Sequence, residues 1–212
     1  PVKYQKQGSY VGGLFVFESK LTQEFRLHFD EKIAEMFQSI GIREGSVWIE
    51  VFHDGENYYF NEVGFRYGGS VSIYPVDYFY QINQVAADIH YALTGESCIS
   101  EHTSLIRSTL PRKKYYCIYP VHINAGTISS ISGLDKIAQL ENIVYLATTK
   151  YLHDRIESSG SFSQVFALVH FVCNTTEECI QTIDRIHQML VVFDEHGNNM
   201  VNRMLDVGKI IF

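Results

Sequence analysis

The 212-residue sequence has no run of about twenty apolar residues, which excludes a helix that spans a membrane. It has no basic excess either. Lys and Arg number 17 against 24 Asp and Glu, a net charge of −7, whereas non-specific nucleic-acid binding calls for a basic face. No signal-peptide pattern stands at its start. The cysteines are Cys98, Cys117, Cys173 and Cys179; none forms a CxxC pair, and the step from Cys173 to Cys179 matches no zinc spacing. They read as reduced thiols of a cytoplasmic protein. A phosphate loop of the form GxxxxGK(S/T) is missing, so Gly12-Gly13 reads as a turn before the strand candidate Leu14-Phe15-Val16-Phe17. His122, His153, His170 and His187 are scattered without ligand spacing and read as ordinary histidines.

What is present is ordinary globular material: 46% hydrophobic and 19% charged residues, enough chain for one or two domains. Residues 22–40 carry Phe25, Phe29, Ile33, Met36, Phe37 and Ile40 at helical spacing, with Thr22 as the expected N-cap and Gly41 as the stop. A second helix is expected over 76–94, with Pro75 in its first turn and Gly95 closing it. Residues 96–113 are polar and weakly periodic, and Arg112-Lys113-Lys114 reads as a solvated basic triplet on a connection. Beyond it, strands are expected at 115–121, 126–131, 142–148 and 164–172. Thr175 and Glu178 are spaced as the capping box of a helix whose stripe is Ile180, Ile183, Ile186 and Leu190.

The most informative stretch is Ser46 to Ser70. Val47 to His53 and Tyr58 to Val63 read as two strands joined at Asp54-Gly55, residues that tolerate the positive φ of tight turns. Each strand carries one acid, Glu50 and Glu62. A three-residue loop would set the two directly opposite, with Cβ atoms roughly 5 Å apart, where like charges repel unless neutralised. A four-residue loop would offset them, and the sequence leaves both open. A divalent cation such as Mg²⁺ suits such a pair. Arg66 follows, beside Gly68-Gly69, a fixed cation suited to phosphate or carboxylate.

The pattern E–x11–E–x3–R–x–G-G across a DG hairpin resembles the metal-binding hairpin of the ATP-grasp superfamily, which includes biotin carboxylase, carbamoyl phosphate synthetase, purine-pathway ligases and L-amino-acid ligases. The preceding helix and the Gly turn of "IGIREGSVWIE" resemble the family's order, as does a helix after Gly68-Gly69. "AGTISSISG", a later strand and "TTEECIQTIDRI" resemble its C-terminal subdomain. The resemblance implies that Glu50 and Glu62 hold Mg²⁺ on the ATP phosphates and that Arg66 faces the acyl phosphate or substrate. Gly68 and Gly69 would bring backbone N–H groups to an anion. Gly64 stands where many members have an asparagine ligand.

The implied fold class is α+β: the C-terminal half of an ATP-grasp fold, an antiparallel sheet with flanking helices, plus a small α+β C-terminal subdomain. The expected division is residues 1–110 and 111–212. The implied activity is that of an ATP-dependent carboxylate–amine ligase working through an acyl phosphate. Alternatives are a carbamoyl phosphate synthetase or purine-type enzyme, or a non-catalytic relative. ATP, Mg²⁺ and a small carboxylate and amine are the expected ligands, with room for a homodimer. The start at Pro1 and the absence of ATP-closing lysines suggest a piece of a longer chain, inactive by itself.

Overall fold

The computed structural model describes residues 1–5, 11–99, 114–210 and 212. The expected boundary at 110/111, and Arg112 and Lys113 of the basic triplet, lie outside the described residues. The chain divides into two compact units, Pro1–Arg26 with Lys113–Phe212, and Leu27–Arg112.

The first unit is built on an antiparallel sheet. Its strands are β1 (Val2–Tyr4), β2 (Leu14–Phe17), β5 (Tyr115–Ile123), β7 (Ile143–Thr148) and β9 (Val165–Cys173), in the order β1-β2-β5-β9-β7, and β11 (Val201–Asn202) also pairs with β5. Pro1–Arg26 groups with the C-terminal residues because Val16 pairs with Cys117 across the β2–β5 ladder. In the β5–β9 ladder Cys117 is opposite Phe171, Tyr119 opposite Val169 and Val121 opposite Ala167. Side chains alternate faces along a strand, so these six share one face, and all belong to the buried core. Helix α5 (Thr176–Met189) covers it with Cys179, Ile183 and Ile186. Burying each such aliphatic side chain contributes about 1.5–3 kcal/mol.

The start of α5 follows the expected cap. Thr175 Oγ1 accepts from the Glu178 N–H at 3.2 Å, while the Glu178 carboxylate accepts from the N–H of Asn174 at 2.7 Å, one residue earlier than a standard capping box. A smaller sheet, β10-β6-β8, joins β10 (Val191–Asp194), β6 (Gly126–Ser132) and β8 (Arg155–Ile156). Between β6 and the short helix α4 (Leu134–Ala138), Gly133 has φ +95°, and a Cβ there would meet the Met189 carbonyl.

Helix α1 (Lys20–Ser39) starts two residues earlier than the sequence suggests, because Ser19 rather than Thr22 accepts from a first-turn amide, that of Thr22, at 3.3 Å. Its end is as expected: Gly41 has φ +84°, Ile42 N–H donates to Phe37 and Gly41 N–H to Gln38, a Schellman motif. Its expected core stripe is only partly covered, with Met36 50% and Ile40 66% exposed.

In the second unit, strands β3 (Trp48–His53) and β4 (Tyr58–Gly64) form a separate hairpin. The helix expected over 76–94 is two helices, α2 (Ile73–Tyr80) and α3 (Gln84–Thr94). The break has a local cause. Gln81 takes a left-handed φ of 55°, and Asn83 caps the second helix by accepting from the Ala86 N–H at 3.0 Å. Among the described residues no helix is long and apolar enough to cross a membrane.

Candidate functional site

The hairpin turn is organised by Asp54. Its Oδ1 accepts from the backbone N–H of Glu56 at 2.9 Å and of Asn57 at 2.8 Å, and its Oδ2 accepts from the Tyr59 hydroxyl at 2.9 Å. The Asn57 amide, then that of Glu56 and the Tyr59 hydroxyl hold the carboxyl down to about 2. Gly55 supplies the positive φ, 109°.

The loop closes with His53 opposite Tyr58, a four-residue connection. Continued without interruption, that register would set Glu50 opposite Asn61. Instead Val51 pairs with Phe60 and Glu50 pairs with Glu62, leaving Asn61 as the extra residue of a β-bulge. The bulge restores what the longer loop displaces, and the two acids end directly opposite. Asn61 Nδ2 donates to Glu50 Oε1 at 2.9 Å. Glu50 is half-buried and Glu62 exposed.

Trp48 lies two residues before Glu50, so both point to one face. Arg66 lies over that tryptophan, its Cζ 5.0 Å from the ring centroid, a cation–π arrangement. Its Nη1 donates to the carbonyl of Tyr67 at 2.9 Å. Among the described residues no carboxylate lies within ion-pair distance of Arg66. The opposite face holds Phe60 and Tyr58, each edge-on to Phe29 of α1 at 5.4 and 5.3 Å.

Gly68 and Gly69 differ. A Cβ on Gly68 would come within 2.6 Å of Ser72 Oγ and 3.1 Å of Trp48 Cδ1, whereas Gly69 faces open space. The two residues that follow, Ser70 and Val71, both take left-handed φ, 58° and 59°. For a β-branched residue that conformation costs about 1–3 kcal/mol. Asp88 ties α3 to this region: it accepts from Ser46 Oγ at 3.2 Å and from the Tyr67 hydroxyl, a bond that raises the pKa of that phenol.

The donor set suits a hard divalent cation. Two opposed carboxylates, with the amide of Asn61 beside them, offer oxygen ligands, and an ion between the acids would relieve their repulsion. The sequence names Glu50, Glu62 and Arg66 as candidates, and the hairpin sets the two acids opposite each other. Sequence reasoning missed Asn61, because nothing in the residue string announces a bulge, and it missed Trp48 as the platform under Arg66.

No family model matches the sequence, and the curated proteins hold no match for it. Solved structures do match. The L-amino acid ligase from Bacillus licheniformis superimposes with a TM-score of 0.70 at 21% identity, over 88% of this chain and 45% of that one. Phosphoribosylglycinamide synthetase from Anaerococcus prevotii follows at 0.67 and 15%, over 92% and 48%. This is part of an ATP-grasp fold. A third ATP-grasp structure, the Hydrogenobacter thermophilus 2-oxoglutarate carboxylase biotin carboxylase domain dimer in complex with MgADP, ADP and bicarbonate, gives 0.64 and 14%, over 94% and 41%. The chain therefore spans less than half the length of these ATP-grasp structures. The expected fold class, α+β with antiparallel sheets and flanking helices, is the one observed.

Proposed function

We propose that this chain is the C-terminal part of an ATP-dependent carboxylate–amine ligase, and that its β3–β4 hairpin carries the phosphate-side metal site. The observation that carries this reading is the opposition of Glu50 and Glu62, kept by the Asn61 bulge against the offset of the loop. In this proposal the two carboxylates hold Mg²⁺ on the nucleotide. The ion supplies charge neutralisation between a substrate carboxylate and the γ-phosphate, two anions that otherwise repel. Arg66, over the Trp48 ring and not engaged by a carboxylate among the described residues, is the anion-facing group, and the open backbone at Gly69 is the close-approach point. The acyl phosphate then yields to an amine.

The extent of the ATP-grasp match supports a longer parent. So do the exposed apolar side chains of Leu27, Met36, Ile40 and Leu93, which a further part of such a domain would cover. By itself the 212-residue chain is then inactive and binds nucleotide weakly. The parent is read as cytoplasmic, and as a homodimer in keeping with the dimer named for the biotin carboxylase domain. A second reading, an enzyme of the purine type, is favoured by Gly64 at the position of the third ligand, since some purine-type members also lack that asparagine.

The test is phosphate release by the full-length parent with Mg·ATP and separate pools of amino acids, other carboxylates and bicarbonate, beside Glu62→Gln. Release that depends on one pool and vanishes in the variant is expected. No release from any pool, with the variant matching wild type, overturns the ligase reading. Robust turnover by the isolated 212-residue chain overturns its status as a part.

A further inference from the structure

Three sulfurs meet in the core of the unit that holds β5, β9 and α5, and the proposed ligase chemistry uses none of them. Cys117 lies within β5, Cys173 ends β9, and Cys179 lies in the first turns of α5. Tyr115 is opposite Cys173 and Cys117 opposite Phe171, so the two strand cysteines are diagonal neighbours on the covered face of the sheet. The helix lays Cys179 against them. Cys117 Sγ is 3.7 Å from Cys173 Sγ and 3.9 Å from Cys179 Sγ, and all three sulfurs lie within 4.8 Å of one another. None is more than 3% exposed.

We propose that Cys117, Cys173 and Cys179 form a closed trigonal thiolate site for one soft cation, copper(I). Distance is the first argument. A point equidistant from sulfurs so spaced lies roughly 2.2–2.5 Å from each, which brackets the ~2.3 Å of a zinc–thiolate bond. Ligand type is the second. Three thiolates with no nitrogen or oxygen donor select soft ions. Among the described residues no fourth His, Cys, Asp or Glu joins the group, whereas structural zinc takes four ligands. Enclosure is the third, since a dry pocket keeps water and oxidants from a thiolate-bound ion.

Loading forms three copper–sulfur bonds and sends the three thiol protons to solvent, with no electron transferred. Because the site is closed, the ion enters before β9 and α5 close over it, during folding.

The test uses the whole 212-residue chain with the exposed Cys98 replaced (Cys98→Ser), so that no outlying thiol competes. It is refolded without oxygen in the presence of copper(I) or zinc and passed over a competing chelator. Native mass spectrometry counts the metal, and X-ray absorption reads its ligands. One copper per chain, bound by three sulfurs and raising the melting temperature, is expected, with zinc lost to the chelator. Retention falls roughly tenfold or more in Cys173→Ala, because metal affinity rests on the full ligand set. If that variant does not fold, the absorption spectrum of the Cys98→Ser chain decides alone. No retained copper, zinc retained in preference, or nitrogen and oxygen ligands in the spectrum overturns the site.

Discussion

Glu50 faces Glu62 across β3 and β4 because Asn61 is an extra residue on the return strand. Two carboxylates opposed in this way cost about 0.2–1 kcal/mol when nothing lies between them. Glu62→Gln is therefore expected to stabilise the chain by about that amount in metal-free buffer. Added Mg²⁺ is expected to stabilise the wild type and leave the variant unchanged. Urea unfolding with and without chelator measures both, and a wild-type midpoint indifferent to Mg²⁺ would count against the acids as a metal pair.

Trp48 is the sole tryptophan, so its emission reports on Arg66 with no background from elsewhere. Inorganic phosphate or Mg·ATP is expected to change that emission as the guanidinium turns to the anion. Arg66→Ala is expected to shift the resting spectrum and abolish the response. A response that survives in Arg66→Ala would place the anion elsewhere.

Gly68 and Gly69 are expected to respond differently to the same substitution. Gly68→Ala drives a methyl group toward Ser72 and the Trp48 ring and is expected to cost about 1–3 kcal/mol. Gly69→Ala meets open space and is expected to change stability by no more than about 0.5 kcal/mol. Thermal unfolding of the pair, read side by side, makes the comparison.

Asp54 gives the hairpin an acid dependence. Its folded-state pKa, about 2, lies below the ordinary value of 3.8. Its contribution to stability is thus full above about pH 4 and lost as the pH falls through about 2. The carboxyl carbon shift of Asp54, followed by NMR, is expected to titrate near 2. A midpoint near 4 would mean that the Glu56 and Asn57 amides are not held.

His187 acts in the opposite direction of charge. Burial first, then the positive charge of Arg203, lowers its pKa to about 4, and the Tyr119 hydroxyl lies 2.6 Å from its Nε2. Between the ordinary 6.5 and about 4 the unfolded chain binds the extra proton, so stability falls as the pH drops through that window. His187→Gln is expected to flatten the stability profile there, as measured by urea midpoints at stepped pH.

The sequence made the second unit's candidate residues readable and their geometry only partly so. The acids and the arginine stand out as reactive types at a fixed interval, and the DG turn marks the hairpin. Their opposition depended on a loop length and a bulge that cancel, and neither has a residue signature. The break between α2 and α3 follows from Asn83, whose capping is visible only once Gln81 is known to turn left-handed. Strand β1, of three residues, is too short to show a period of two. Cys117 and Cys173 are separated in sequence by β6, α4, β7 and β8, and only the β5–β9 ladder and α5 bring the three cysteines together.

The pairing of β2 with β5 has a consequence for synthesis of the chain. Strand β2 is made before its partner β5, which follows only after all of Leu27–Arg112 has been made. Until then β2, whose Leu14 and Val16 are destined for the core, presents unsatisfied backbone and apolar side chains to its surroundings. The second unit can complete its local hairpin and helices during that wait. The sheet that carries Cys117 and Cys173 is therefore closed only after the second unit has been made.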